Sequence, residues 1–322
     1  MRYLIFGTGA IGGYFGGRLL QHSLQQNHQV DFIARGQQLA AIKANGLYIK
    51  SIIGDVKLTP INIGEQINPT AAYDVIFIAV KSYQLEQAML DIKRVCTRNT
   101  VVIPLLNGID IDQKLVQYGL QPHQIIHGFA NIICKVSDYG VIAHSGGEPH
   151  ITLGTKAGFH NKEDLLYLNP IIKDVANHLE ISNVNVSIKE DITNAIWAKY
   201  LFVAPWAAIS SLVKQPLHQI RVNKNCFSVL QQLIDEYALI AQTQGATLSE
   251  NLIGNIKKGL ERLPPESKTS MQNDVELHKD IKLCEFDPLL ASAFYLAQKH
   301  HLNTPLLNCC FSCLSVKLTS EK

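Results

Sequence analysis

The chain has 322 residues, 47% hydrophobic and 17% charged, with a net charge of +2. That length suggests two domains, the composition is that of an ordinary soluble globular protein, and the small charge gives no bulk argument for nucleic acid or membrane partners. The seven cysteines have no regular spacing and the first turn at Gly7 comes too early for a secretory leader, so reduced thiols in a cytoplasm are expected; no apolar run approaches the roughly 18–20 residues needed to span a bilayer.

Residues 2–6 read as a short buried strand, and Gly7 to Gly17 as a turn running into a helix. Further strands are expected at Val30–Ala34, Asp74–Val80 and Thr100–Pro104, with a helix over Tyr83–Val95, and more strands around 125–133, 140–144 and 150–154. Strand and helix alternate, and the strands are nearly continuous apolar runs. That is the pattern of an α/β domain with a mainly parallel sheet covered on both faces. Beyond residue 188 the pattern becomes helical, over Lys189–Leu212, Asn223–Thr243 and Pro288–His300. Pro264-Pro265 and the polar residues after it read as a loop entering another helix. The expected division is therefore 1–187, a Rossmann-type domain, and 188–322, an all-helical domain.

Gly7-Thr8-Gly9-Ala10-Ile11-Gly12 is a G-x-G-x-x-G turn set directly after a strand and opening a helix. The first glycine allows the tight turn, the second lets backbone approach a pyrophosphate, and the third lets helix and strand pack closely. Free N–H groups at the helix start favour the phosphates. These six residues are candidate dinucleotide ligands. The second strand ends Ile33-Ala34-Arg35-Gly36, with an arginine where an NAD enzyme usually places an acid. The planar fork of Arg35 suits the 2′-phosphate of NADP(H), which is the expected cofactor.

The glycine turn, Phe32-Ile33-Ala34-Arg35-Gly36 and Ala44-Asn45-Gly46-Leu47 begin an ordered series of motifs. It continues through Val80-Lys81-Ser82-Tyr83-Gln84-Leu85, Leu106-Asn107-Gly108-Ile109, Trp197-Ala198-Lys199, Ser270-Met271-Gln272-Asn273-Asp274 and Glu285-Phe286-Asp287, upstream of Pro305. Over nearly its whole length the chain resembles the ketopantoate reductase (2-dehydropantoate 2-reductase) family. The resemblance implies a Rossmann-type domain followed by a helical one, with the active site in the cleft between them. It implies reduction of a 2-keto acid by NADPH to an (R)-2-hydroxy acid, in the namesake 2-dehydropantoate to pantoate for pantothenate and coenzyme A biosynthesis. A small-molecule substrate and a homodimer are the expected partners.

The resemblance places the catalytic lysine at Lys199, which the sequence sets on a stripe with Ile192, Ile196 and Val203. Desolvation there would lower its pKa and make it a better acid toward an alkoxide. The same resemblance assigns Glu285 as the carboxylate contacting substrate and cofactor, with Asp280 and Asp287 as alternatives. It implies Asn107, Ser270 and Asp274 as substrate ligands, and Lys81, Asn107 and the backbone at Cys134 as cofactor contacts. Ser270 could equally be a helix N-cap. No metal site is expected. Cys309-Cys310-x-x-Cys313 reads as helix-core thiols, His123 and His127 lack the context of a zinc helix, and Lys299-His300-His301 reads as a solvated helix end.

One departure bears on substrate. The family usually carries asparagines four and eight positions after the lysine; here Val203 and Ala207 stand there, with Pro205, expected to kink the helix, and Trp206 between them. This favours a more apolar substrate side. Other branched or aromatic 2-keto acids are the alternative substrates, and an NADPH-binding sensor without turnover is a third reading.

Overall fold

The computed structural model describes residues 1–277 and 280–319, and within them the chain divides into two compact units. The first comprises Met1–Leu106 and Ile111–Ile192, the second Asn107–Asp110 and Thr193 onward.

The first unit contains β1 (Arg2–Phe6), α1 (Ala10–Gln26), β2 (Gln29–Ile33), α2 (Gly36–Asn45), β3 (Leu47–Ser51), β4 (Val56–Leu58) and β5 (Ile63–Gly64). It continues with β6 (Val75–Ile78), α3 (Leu85–Ile92), β7 (Val101–Pro104), α4 (Ile111–Gln117), β8 (His127–Asp138), β9 (Val141–Gly154), α5 (Lys162–Ile181) and β10 (Asn185–Lys189). Strands β5-β2-β1-β6-β7 form an all-parallel sheet. Residues 75–78 and 101–104 of β6 and β7 are buried throughout, as sheet strands covered on both faces must be. Tyr3, Ile5, Phe32 and Phe77 join one core, and Leu4, Phe6, Ile76 and Ile78, pointing the other way, join a second.

A second sheet, in the order β10-β9-β3-β4 with β8 also on β9, was not expected. The three strands expected between 125 and 154 are instead one long hairpin, β8 and β9, joined at Tyr139-Gly140. Register shifts between Asn131 and Cys134 break the alternation that would have marked β8 as a single strand. Strand β10 pairs parallel to β9 and carries the first unit to Ile192, past residue 187.

The second unit contains α6 (Thr193–Val213), α7 (Leu217–Val222), α8 (Lys224–Thr243), α9 (Glu250–Arg262), α10 (Ser270–Glu276), α11 (Ser292–Lys299) and α12 (Pro305–Thr319). Helix α6 packs against α8, α9, α10 and α12. By length and composition it is apolar enough to cross a membrane, which corrects the expectation that no such run exists. Its apolarity matches its central place, with Leu201, Ala204, Ala207 and Ala208 buried in the helical core. The helix runs on through Pro205. Ile192 precedes it and belongs to the first unit, so it does not extend the stripe bearing Lys199.

On α12 only Cys310 is buried; Cys309 and Cys313 are exposed, correcting the reading of all three as core thiols. Residues four apart share a face, and the neighbour of Cys309 is turned about 100° away from it toward the core. Among the described residues no group of three or more His, Cys, Asp or Glu could hold a metal ion. His127 instead pairs with Asp112 at 3.1 Å.

The N-terminus of α12 is satisfied from a distance. The buried Glu236 of α8 accepts from the N–H groups of Leu306 (2.9 Å) and Leu307 (2.8 Å). Glu236→Ala should therefore lower unfolding free energy by about 1–3 kcal/mol, measured by denaturant titration, because it strands two helix-terminal donors. Glu236→Gln should lose less, since its carbonyl still accepts from one of the two N–H groups while its NH2 faces the other.

Candidate active site

In the first unit the expected residues gather at the carboxyl ends of three neighbouring parallel strands. Gly7 and Thr8 follow β1, Arg35 follows β2, and Lys81 follows β6. This edge is where open α/β sheets bind ligands. Gly7 has φ +102°, and a Cβ there would lie 2.7 Å from Val80 Cγ1. A Cβ on Gly12 would run into the Gly7 carbonyl oxygen, so the helix meets the strand at a distance only glycine permits. Gly9 differs, because a Cβ there would meet open space. Close packing within the protein therefore does not account for the second glycine, whereas an approach of backbone to a ligand does.

Gly9 is also the N-cap of α1, makes no side-chain cap, and has no acid in the first turn behind it. The N–H groups at Ala10, Ile11 and Gly12 thus begin the helix without a side-chain cap, the arrangement that receives a phosphate. Thr8 is held by its own Oγ1 on the Ile33 carbonyl (2.9 Å), and its carbonyl accepts from Gln38 Nε2 (2.9 Å). No local sequence signal links Gln38 to a residue thirty positions earlier in the chain. The turn therefore fits a dinucleotide.

Arg35 caps the start of α2 and is half exposed, and its Nη2 donates to Asp91 Oδ2 at 3.1 Å. Lys81 starts the 3₁₀ turn Ser82–Gln84, where its N–H donates to Gln84 Oε1. Cys134 lies on β8, in the sheet that packs on α1, and burial pushes its thiol up to about 12. The thiol is un-ionised at neutral pH, which suits a backbone role and no thiol chemistry.

In the second unit four expected residues converge. Glu285 is buried, and its Oε2 accepts from Asn107 Nδ2 (2.8 Å) and from Ser270 Oγ (3.2 Å). Lys199, on α6, feels the same carboxylate: desolvation lowers its pKa to about 8, and the charge of Glu285 opposes the fall. The three carboxylates left open by the sequence separate here. Asp280 is exposed and caps the turn Ile281–Leu283 through the Lys282 N–H, while Asp287 is exposed at the start of the π-helical turn Asp287–Ala291.

The N-cap of α10 is Thr269, whose side chain accepts from the Gln272 N–H, and not Ser270. That leaves the exposed Ser270 hydroxyl for Glu285. Asp274, one turn later, is buried. His278 and Lys279, between Asp274 and Glu285, lie outside the described residues. On α6, Val203 and Trp206 follow Lys199 by four and seven positions and so share its face. Trp206 is buried, and its Nε1 has no hydrogen-bond partner among the described residues.

The geometry sets a titration. Lys199 stays charged below about pH 8 and loses its proton above it. Glu285→Gln removes the charge that opposes desolvation, so the Lys199 pKa should fall further. Acylation of Lys199, followed by mass spectrometry across pH 6–10, should show its midpoint moving to lower pH in the variant. A midpoint that stays put or rises would mean that Glu285 does not act on Lys199.

Two family profiles match the chain. One, described as ketopantoate reductase PanE/ApbA, matches residues 3–158, and the other, its C-terminal part, residues 191–317. Among curated proteins, the chain is 29% identical over 278 residues to "Uncharacterized oxidoreductase YkpB" of Bacillus subtilis (strain 168), covering 86% of each. Among solved structures it resembles 2-dehydropantoate 2-reductase from Geobacter metallireducens GS-15, with a TM-score of 0.86 at 21% identity over 98% of this chain and 99% of that one. It also resembles D-mandelate dehydrogenase in its ternary structure with NADH and anilino(oxo)acetate, with a TM-score of 0.85 at 20% identity over 99% of each chain. At those identities the two structures establish the fold alone. The family profiles, taken with the α/β and helical units they cover, establish that this chain is an oxidoreductase belonging to the ketopantoate reductase family.

Proposed function

We propose that this chain reduces 2-dehydropantoate to (R)-pantoate with NADPH, a step in making pantothenate. The observation that carries the reading is the buried Glu285 carboxylate, which gathers Asn107 and Ser270 on one oxygen and faces Lys199. In this reading Gly7, Thr8, Gly9, Ala10, Ile11 and Gly12 hold the pyrophosphate, and Arg35 holds the 2′-phosphate. Lys81, Asn107, Glu285 and the backbone at Cys134 complete the cofactor contacts. When bound, NADPH supplies the hydride that reduces the keto carbon.

The chain's own residues do the rest. Lys199 donates a hydrogen bond to the keto oxygen, which polarises the carbonyl, and then gives its proton to the oxygen as negative charge develops there. Its lowered pKa brings that proton closer to transfer at neutral pH. Glu285 keeps Lys199 charged against desolvation and orients Asn107. Ser270 binds the substrate carboxylate: its hydroxyl can turn from Glu285, and it stands in the first turn of α10, where N–H groups favour an anion. Asp274 supports this face of α10 and completes the substrate ligands.

One observation favours a second substrate. Val203, Trp206 and Ala207 follow Lys199 along α6, and Ala207 is fully buried. None presents a hydroxyl or amide to a substrate hydroxyl. A branched or aromatic 2-keto acid lacking that hydroxyl would suit this largely apolar face, where of these three side chains only Trp206 carries a donor, its Nε1.

Steady-state rates on 2-dehydropantoate, 2-ketoisovalerate and benzoylformate, each with NADPH and NADH, decide between these substrates. The proposal expects 2-dehydropantoate with NADPH to give the highest kcat/KM; a win for either hydroxyl-free acid transfers the assignment to the second reading. Lys199→Ala should lower kcat about 10²–10⁴-fold with NADPH affinity retained, measured by fluorescence titration. Intact NADPH binding without turnover on any acid by the unaltered chain would favour a sensor.

A further inference from the structure

Arg35, expected to meet the 2′-phosphate, already has a partner. Its Nη2 donates to Asp91 Oδ2 at 3.1 Å, and Arg94 Nη1 stands 3.8 Å from the other oxygen of the same carboxylate. Asp91 lies near the end of α3, the helix that follows β6, and is itself partly exposed. One carboxylate therefore sits between two guanidinium groups beside the carboxyl edge of the parallel sheet, all within the first unit.

We infer that Asp91 is a cofactor-specificity residue, which weakens the preference for a 2′-phosphorylated dinucleotide by competing with the phosphate for Arg35. The inference rests on the reading of Arg35 given under the proposed function. A phosphate that takes the Arg35 Nη2 donor displaces Asp91, and one held by the other guanidinium donors still meets the carboxylate as a negative charge beside a dianion. A 2′-hydroxyl makes neither demand, so NADH binding is indifferent to Asp91. Arg94 acts in the opposite sense. It is largely exposed, and it neutralises Asp91 when Arg35 turns away. The pairs are solvent-exposed, so each effect is modest and screened by salt.

The test is fluorescence titration of NADPH and NADH into the full chain carrying Asp91→Asn, Arg94→Ala or Arg35→Ala, at low and at high ionic strength. Asp91→Asn should tighten NADPH about two- to fivefold, and Arg94→Ala should weaken it by a similar factor. Both should leave NADH binding unchanged, which also shows that the variants are folded. High salt should shrink both differences. An NADPH-to-NADH affinity ratio that stays the same or falls in Asp91→Asn overturns the inference. Arg35→Ala separates the two possible failures. If it costs NADPH affinity while Asp91→Asn does nothing, the inference about Asp91 falls alone. If it leaves NADPH binding untouched, the reading of Arg35 falls and the inference with it.

Discussion

The site in the second unit depends on burying the Glu285 carboxylate. A carboxylate taken out of water must be compensated by donors or by a cation, or it takes up a proton. Here Asn107 and Ser270 donate to one oxygen, and Lys199 supplies the charge. The same burial desolvates Lys199. Two opposed effects on one lysine, desolvation and a facing anion, leave its pKa at about 8, where the ammonium form prevails at neutral pH and its proton is comparatively mobile.

This arrangement explains local features that would otherwise look arbitrary. Helix α10 is capped by Thr269, so the hydroxyl of Ser270 is free of capping duty and turns to Glu285. Asn107 follows strand β7 of the first unit, yet residues 107–110 group with the second, where Ile109 packs into the helical core. The loop after a sheet strand thereby delivers an amide to a carboxylate 178 positions along the chain. Helix α6 must present Lys199 from the middle of an apolar core, which is why it is apolar enough to pass for a membrane span.

The first unit follows a different constraint, the distance between α1 and the sheet. Gly7 and Gly12 are set by close packing, whereas Gly9 faces open space. A glycine with room for a side chain is accounted for by what approaches it from outside. Tight contacts inside and an open face outside suit this turn to the approach of a ligand.

The sequence by itself determined the parallel sheet, the glycine turn, the arginine after β2, and a lysine, serine and glutamate in an order matching one family. These are local patterns: apolar runs, fixed spacings and residue types that the backbone or the chemistry requires at particular places. The strands at 125–133, 140–144 and 150–154 are legible in the sequence, but their pairing into a second sheet is not, because β3 and β4 are short and partners such as β3 and β9 lie about ninety residues apart. Only the tertiary structure buried Glu285 while leaving Asp280 and Asp287 exposed, gave the α10 cap to Thr269, and set Asp91 against Arg35. Each of these depends on which side chain is buried and which partner, often tens of residues away, faces it. Burial and pairing of charges are properties of the folded chain, and no local spacing encodes them.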